Sequence, residues 1–229
     1  MSVKQSLECE KNTVVIMPYD SREECYVESL GEIEKKPVYS FIKRLCDIVF
    51  SLIALLVTGI PMLLLAFIVK CTSPGTVFYH QERLGLNGKK IDVIKIRTMC
   101  ADAEKDGIQW SSGDEDPRIT RLGRFLRMTH IDELPQFWCI LKGDMSLVGP
   151  RPEREVYYNE FERYIHGFRE RLKVKPGLTG LAQIRGGYFL KPEKKIIYDI
   201  EYIKNRSILN DFRILLGTVK VVLTRDGAK

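Results

Sequence analysis

The fold of this chain is decided by residues 48–69, IVFSLIALLVTGIPMLLLAFIV, a stretch without a single charged side chain. Its 22 residues reach the roughly 20 that an apolar helix needs to cross the hydrocarbon core of a bilayer. A run of this length and composition is not expected on the surface of a water-soluble domain. We therefore predict that the chain inserts into a membrane through this segment.

A proline within the segment bears on how it lies in the membrane. Pro61 lacks a backbone N–H and its ring clashes with the preceding helical turn, so we predict a kink or a break there. Basic residues stand on both sides, Lys43 and Arg44 before the segment and Lys70 after it, and the positive-inside rule gives no clear orientation. Two interpretations stay open: a broken helix that dips into one leaflet and returns, and a kinked helix that spans the bilayer.

The rest of the chain has the composition of a folded domain. Of the 229 residues, 45% are hydrophobic and 29% are charged, values that exclude a disordered protein and a polytopic transporter. Residues 1–40 carry a net charge of −3, and the remainder carries +9. We predict that residues 1–40 form a polar, acidic extension and that residues 41–229 form one domain, whose positive charge favours anionic partners.

Hydrophobic spacing after the membrane segment predicts a few short elements. The stretches TVFYH and KKIDVIKIRTM, separated by Gly85 and Gly88, predict a small β-hairpin. Residues 153–173 read as a charged surface helix, and residues 207–223 read as an amphipathic helix that lies either at the membrane interface or on the soluble core. The predicted fold class is α+β and mainly helical: a membrane-associated, monotopic domain with a broken, re-entrant hydrophobic helix, a β-hairpin and amphipathic interfacial helices.

Several site types are excluded by the sequence. The six cysteines contain no C-x-x-C pair, which argues against a disulfide framework and favours reduced thiols. The three histidines have no zinc-binding spacing, and neither G-x-x-x-x-G-K-[ST] nor G-x-G-x-x-G occurs.

The stretch with the most candidate catalytic and ligand-binding residues is THIDELPQFWCILKGDMSLVGPRPE at residues 129–153. Because Pro135 is tolerated only in a first helical turn, a helix is expected to begin near residues 132–134, with Asp132 and Glu133 at its amino end. Asp132 as a simple cap is the alternative interpretation. Arg127 and Arg151 flank the acidic pair, so that two carboxylates could hold Mg²⁺ while the guanidinium groups bind phosphate oxygens. The pattern indicates a diphosphate substrate.

With these residues in view, the chain resembles the bacterial sugar transferases, the small monotopic polyprenyl-phosphate phosphoglycosyl transferases. The resemblance covers most of the chain after residue 42, and each block alone would be weak evidence. The matching segments are Lys43-Arg44 with Asp47, Ser73-Pro74-Gly75, Gln81-x-Arg83-x-Gly85, Lys95-x-Arg97-Thr98-Met99, Arg118-Ile119-Thr120-x-x-Gly123, Asp132-Glu133-Leu134-Pro135-Gln136, Lys142-Gly143-Asp144-Met145-Ser146-Leu147-Val148-Gly149-Pro150-Arg151-Pro152, Lys175-Pro176-Gly177-Leu178-Thr179-Gly180-x-x-Gln183, and Asp211.

The resemblance implies transfer of a sugar 1-phosphate from a UDP-sugar to undecaprenyl phosphate, with release of UMP and a requirement for Mg²⁺. In that scheme Asp132 is the nucleophile that forms a phosphosugar-aspartyl intermediate, and Glu133, with Asp132, holds the metal. The implied phosphate-binding residues are Arg127, Arg151, Lys95, Arg97 and Arg118.

The resemblance also implies a location. It suggests the bacterial inner membrane, with the active site facing the cytoplasm, at the first membrane step of surface polysaccharide or glycoconjugate assembly. Candidate membrane-interface residues are Lys43, Arg44, Asp47 and the helix-breaking Pro61. We expect membrane lipid but no nucleic acid as a partner, and a homodimer is a possible assembly. The family often has an asparagine where this chain has Cys139, which we expect to act in packing.

A different class of function is kept as the alternative. The chain could be a catalytically inactive, membrane-anchored basic scaffold or lipid-binding module that uses its arginines to bind anionic lipid. The adjacent acidic pair and the Gly-Pro-Arg-Pro turn would then have no role.

Overall fold

A computed structural model describes residues 17–19, 24–105, 116–186 and 190–224. The helices in these ranges are α1 (Pro37–Thr72), α2 (Arg121–Met128), α3 (Gln136–Lys142), α4 (Glu155–Phe161), α5 (Leu181–Gly186), α6 (Pro192–Lys204) and α7 (Ile208–Thr224). The strands are β1 (Met17–Tyr19), β2 (Glu24–Tyr26), β3 (Phe78–Leu84), β4 (Lys90–Ile96), β5 (Ser146–Val148), β6 (Ile165–His166) and β7 (Gly177–Thr179). Short 3₁₀ helices lie at Leu86–Gly88, Ile131–Glu133 and Phe168–Lys173. The predicted mainly helical α+β class is confirmed.

The predicted β-hairpin is formed by β3 and β4. The two strands pair antiparallel from Phe78 opposite Ile96 to Leu84 opposite Lys90. Asn87 adopts φ 54°, a left-handed conformation that asparagine tolerates, and it reverses the chain between the strands. Alternation in β4 buries Ile91 and Val93 in the core.

The segment before α1 pairs and packs with elements that follow α1, so that both belong to one folded domain. β2 pairs in parallel with β6, with Cys25 opposite Ile165, and antiparallel with β1. Cys25 and Val27 belong to the same buried cluster as Phe168 and Ile200. Part of the predicted extension therefore packs on the domain, while residues 1–16 lie outside the described ranges. The domain boundary after residue 40 stays a prediction.

The apolar segment lies within α1, which is 36 residues long and runs through Pro61 without interruption. Of the two outcomes predicted at Pro61, a break is therefore wrong, because the fixed φ of proline is itself close to helical and only one backbone hydrogen bond must be lost. A kink there stays a prediction. Among the described residues, α1 is the one helix long and apolar enough to cross a membrane. Both of its ends contact the folded body: Arg44 donates to the oxygen of Ile140 over 2.7 Å, and Val69 packs with Ile96.

Residues 153–173 do not form the predicted single surface helix. The segment divides into α4, β6 and the 3₁₀ helix Phe168–Lys173, because the chain reverses at Gly167, whose φ is 94°. Within it, Arg171 is fully buried and pairs with Asp199 on α6 over 2.6 Å. The many charged residues of this segment predicted that it lies at the surface. That prediction is wrong for Arg171, whose charge is buried together with that of Asp199.

The amphipathic helix predicted at residues 207–223 is confirmed as α7. Its inner face carries the buried Asp211 and Ile214. Its outer face exposes a continuous apolar stripe that nothing in the described part of the chain covers, formed by Ile208, Leu209, Phe212, Leu216, Val219 and Leu223.

Candidate active site

The acidic pair is held between two short helices. Thr120 caps α2 by accepting a hydrogen bond from the N–H of Gly123 over 2.9 Å. After α2 ends, His130 takes φ 55° and turns the chain into the 3₁₀ helix that contains Asp132 and Glu133. Pro135 is the N-cap of α3, which begins at Gln136. The predicted helix start at residues 132–134 is therefore a few residues too early, because the acidic pair forms its own 3₁₀ turn directly before α3.

Asp132 is buried, with 6% of its surface exposed. Removal from water raises the pKa of its carboxyl to about 6, against the lowering effect of nearby Lys95. The carboxyl is therefore ionised at neutral pH but poorly solvated. A desolvated carboxylate is a stronger nucleophile than one surrounded by water.

Glu133 is gripped by two cations. Its Oε1 accepts a hydrogen bond from Lys95 Nζ over 2.6 Å, and both of its oxygens accept from the guanidinium of Arg151, with Nη1 to Oε2 at 3.2 Å. Although burial opposes ionisation, Arg151 and Lys95 hold the pKa of Glu133 well below its ordinary value. The carboxyl of Glu133 is therefore held in its ionised form by its partners. The carboxyl of Asp132, with its raised pKa, takes up a proton much closer to neutral pH.

The charge balance of the site favours an anionic ligand. Lys95 and Arg151 act on both carboxylates, and Arg127 acts on that of Asp132, so three cations face two anions. Arg127 is oriented by a hydrogen bond from Nε to Thr98 Oγ1 over 2.9 Å. The structure therefore brings together three of the five predicted phosphate-binding residues beside the acidic pair.

The other two predicted phosphate ligands have different partners. Arg97 donates from Nη1 to the oxygen of Pro74 over 2.6 Å and from Nη2 to that of Ser73 over 2.8 Å, which closes the carboxyl end of α1. Arg118 forms a two-point pair with the buried carboxylate of Asp116, at 2.9 and 2.6 Å. A role of Arg97 or Arg118 in phosphate binding stays a prediction.

The turn that carries Arg151 is tightly constrained. A Cβ added to Gly149 would lie 2.4 Å from the oxygen of Lys175, so only glycine fits next to β7. Beyond the turn, Arg83 donates to the oxygen of Pro152 and pairs with Glu153, which also binds Lys195 at 2.9 Å. Despite burial, Lys195 and Arg83 hold the pKa of Glu153 at about 2.

Sequence reasoning missed this support. In the sequence Arg83 stands out only as part of a segment that matches the family, and no local pattern points to Glu153, Lys195, Arg171 or Asp199. Arg171 contacts the site directly, because its Nη2 donates to the oxygen of Arg151 over 2.9 Å. These partners are remote in sequence, and only their placement within charged stretches could have drawn attention to them.

The predicted membrane-interface residues are bound to the protein. Asp47 is 3% exposed and accepts from the N–H of Leu147 over 2.9 Å and from Ser146 Oγ over 3.1 Å. Lys43 donates to the oxygen of Val148, and Arg44 donates to carbonyls at the end of α3. Their position relative to lipid headgroups stays a prediction.

Cys139, on α3, is buried in the core and donates from Sγ to the oxygen of Asp92 over 3.4 Å. Its expected role in packing is confirmed.

A metal ion would find few protein ligands here. In the described part of the chain, no group of three or more His, Cys, Asp and Glu side chains could enclose a cation. Asp132 and Glu133 offer two carboxylates, and Mg²⁺ is commonly bound by one or two carboxylates together with substrate phosphates. The residues therefore fit a Mg²⁺ ion that is shared with a bound diphosphate, but not one held by the protein alone.

The family model described as bacterial sugar transferase matches residues 38–225, which include the acidic pair, its cationic partners, α7 and all of α1 except its first residue. The chain belongs to the bacterial sugar transferase family. The resemblance stated from the sequence motifs is confirmed.

Curated relatives carry more specific names. The chain is 41% identical over 203 residues to the UDP-N-acetylgalactosamine-undecaprenyl-phosphate N-acetylgalactosaminephosphotransferase of Aeromonas hydrophila, which covers 87% of this chain. It is also 41% identical over 206 residues to the UDP-glucose:undecaprenyl-phosphate glucose-1-phosphate transferase of Escherichia coli, which covers 84% of this chain. A protein of Caulobacter vibrioides with the same name is 41% identical over 192 residues, 81% of this chain.

The family members differ in length. The chain spans 48% of the Aeromonas protein and 44% of the Escherichia coli protein, but 71% of the Caulobacter protein. The names of these relatives include two different sugars, so similarity to them does not select a donor.

Proposed function

We propose that the protein transfers a sugar 1-phosphate from a UDP-sugar to undecaprenyl phosphate and releases UMP. The observation that carries the proposal is the pairing of a buried, poorly solvated carboxylate with a cation-clamped one: Asp132 beside Glu133, which lies between Lys95 and Arg151. The names of the relatives give the same donor and acceptor classes. A basic scaffold would need the cations but not the buried carboxylate.

In the first step Asp132 acts as the nucleophile. One of its carboxylate oxygens attacks the phosphorus that carries the sugar, and the bond from that phosphorus to the bridging oxygen of the diphosphate breaks. The bridging oxygen leaves with its electron pair as part of UMP, and a phosphosugar-aspartyl intermediate remains. Lys95, Arg127 and Arg151 offset the negative charge that develops on the phosphate oxygens.

In the second step an oxygen of undecaprenyl phosphate attacks the same phosphorus. The bond to the Asp132 oxygen breaks, the carboxylate is restored, and the product is a polyprenyl diphosphate sugar. Asp132 and Glu133 would hold Mg²⁺, which would supply further positive charge to the donor phosphates. Glu133 remains ionised throughout because its two cationic partners lower its pKa.

We further propose that α1 enters and leaves the membrane on the same side. β2, before α1, pairs with β6, after α1, and Glu28 pairs with Lys204 over 3.2 Å. A helix that spanned the bilayer would separate these partners by the thickness of the membrane. The loss of one backbone hydrogen bond at Pro61 offers a point at which the axis can bend.

The exposed stripe of α7 supports a position at the membrane interface. Arg213 and Lys220 are exposed along one edge of the stripe, and long basic side chains at such positions reach toward lipid phosphates while their stems cover apolar surface. We place the acidic pair on the side from which a nucleotide sugar arrives, as the family resemblance implies. That side is the cytoplasmic face of the inner membrane of a bacterium.

The test is UMP release by detergent-solubilised protein with Mg²⁺, undecaprenyl phosphate and a panel of UDP-sugars, compared with Asp132→Asn. The proposal expects turnover with at least one sugar in the wild type and none in the variant. If folded wild-type protein releases no more UMP than Asp132→Asn with any sugar, the transferase function is refuted and the lipid-binding scaffold becomes the better explanation.

A further inference from the structure

A buried polar cluster lies where α1, α6 and α7 meet, and the proposed chemistry makes no use of it. Asp211, on α7, is 7% exposed and accepts hydrogen bonds from three side chains. Its Oδ2 lies 2.8 Å from Lys43 Nζ and 3.0 Å from the hydroxyl of Tyr39, both on α1. Its Oδ1 lies 3.0 Å from the hydroxyl of Tyr202 on α6.

The cluster converges on one backbone atom. The oxygen of Val148 accepts a hydrogen bond from Lys43 Nζ over 2.9 Å and lies 3.2 Å from the hydroxyl of Tyr202, whose single proton is shared between this oxygen and Asp211. Val148 is the last residue of β5 and stands three positions before Arg151. The strand is fixed a second time by α1, since Asp47 binds the N–H of Leu147.

The chain between Val148 and Arg151 has little freedom to absorb a displacement. Gly149 donates from its N–H to the oxygen of Thr179 over 2.9 Å and has backbone on the side where a Cβ would point. Pro150 follows with a fixed φ, and its oxygen accepts from the N–H of Gly177 over 2.9 Å. A shift of Val148 is therefore carried forward to Arg151.

We propose that Lys43, Asp211 and Tyr202 are positioning residues for catalysis, which set the place of Arg151 by holding the oxygen of Val148. The inference rests on the proposed function, in which Arg151 binds the donor phosphates. Because Lys43 lies at the start of the membrane helix and Asp211 on α7, the cluster links the two membrane-facing elements to the active site. The alternative is that the cluster only fastens α1 to the domain.

A double-mutant cycle separates the two interpretations. The variants are Lys43→Met, Arg151→Lys and their combination, and the measurement is kcat/KM for UMP release in nanodiscs. If Lys43 acts through Arg151, each single variant loses about tenfold or more, while the double variant loses little beyond the worse single variant. Fold losses that multiply would show that Lys43 acts independently of Arg151 and would overturn the inference.

Lys36→Met is the matched control. Lys36 precedes α1, pairs with Glu34 at 3.6 Å and donates to the backbone oxygen of Arg206 over 3.4 Å, and neither of these partners lies on β5. We expect Lys36→Met to retain near wild-type kcat/KM, and its small effect to multiply with that of Arg151→Lys. A loss from Lys36→Met as large as that from Lys43→Met, with the same non-additivity, would also overturn the inference.

Tyr202→Phe is a second test of the cluster, used in case Lys43→Met does not fold. It keeps the aromatic ring and removes only the hydroxyl, and thermal unfolding is measured for every variant. The inference expects Tyr202→Phe to lower kcat and to be non-additive with Arg151→Lys; an unchanged kcat, or a fully multiplicative loss, would overturn it. If the wild type itself releases no UMP, the proposed function fails and the inference falls with it, an outcome distinct from active but independent variants.

Discussion

The buried guanidinium of Arg171 donates a hydrogen bond to the backbone oxygen of Arg151 over 2.9 Å. Arg171 is itself paired with Asp199 at 2.6 Å and lies over the ring of Phe168, 4.9 Å from its centroid. A charged pair within the core thus supports the turn that presents a phosphate-binding arginine. The pair links the stability of the domain to the geometry of the site.

Removing one partner of this pair should be costly. Asp199→Ala leaves Arg171 buried without its counter-charge, and we expect the free energy of unfolding to fall by about 3–5 kcal/mol. Glu201→Ala is the control, because it removes the more exposed pair with Arg185 and should cost about 0–1 kcal/mol. Denaturant unfolding in detergent measures both, and equal losses would contradict the prediction.

Asp132→Asn should stabilise the folded protein while it abolishes activity. The folded-state pKa of Asp132, about 6, lies above the usual value for aspartate. At pH values above 6 the buried, ionised carboxylate therefore lowers the free energy of unfolding. We expect a gain in unfolding free energy of about 1–3 kcal/mol at pH 7.5.

The gain from Asp132→Asn should shrink as the pH falls from 6 toward about 4, the ordinary aspartate pKa, since the wild-type carboxyl then becomes neutral. Denaturant unfolding of both proteins at pH 7.5 and 5 tests this. Asp102→Asn, at an exposed position, serves as the control. A gain that is absent at pH 7.5, or that grows on acidification, would argue against a buried, ionised Asp132.

The Mg²⁺ dependence of UMP release should show whether Glu133 is a ligand of the metal. We expect EDTA to stop UMP release and Mg²⁺ to restore it, and Glu133→Gln to raise the Mg²⁺ concentration for half-maximal rate by about tenfold or more, because the amide is a weaker ligand. Glu153→Gln is the matched control, since Glu153 is also buried between two cations but lies outside the acidic pair. It should leave the Mg²⁺ requirement unchanged, and an equal shift in both variants would refute the metal role of Glu133.

The side of the membrane on which α1 ends can be read from its flanking residues. Cys71 is exposed at the carboxyl end of α1, and Glu28 is exposed before α1 begins. In variants with Cys71 or Glu28→Cys as the sole cysteine, a membrane-impermeant maleimide should label both in inside-out vesicles and neither in spheroplasts. Labelling of the two positions from opposite sides would support a spanning helix instead.

The apolar stripe of α7 should contact lipid. A nitroxide attached at Leu216→Cys, in a background without other cysteines, should collide more often with dissolved oxygen than with a water-soluble nickel complex, because oxygen concentrates in the apolar phase. A nitroxide at Asn205→Cys, an exposed residue beyond the carboxyl end of α6, should show the reverse. Equal nickel accessibility at both positions would place α7 in water.

Local sequence determined several parts of this protein. The apolar run at residues 48–69, the hairpin and α7 follow from hydrophobic spacing, since each is a property of neighbours along one element. Asp132 and Glu133 share a single turn, and Pro135 limits where the next helix can begin. These features depend on residues that are close together in the sequence, and they need little contribution from contacts with the rest of the chain.

Tertiary structure decided which charges meet. Lys95 reaches Glu133 from 38 positions away, and Lys43 reaches Asp211 across 168. Charge density predicted a surface at Arg171, yet packing buried that side chain and supplied Asp199 as its partner. Periodicity reports on solvent exposure within one element, whereas an ion pair between elements exists only after the whole domain has packed, because the desolvation that makes it strong is created by that packing.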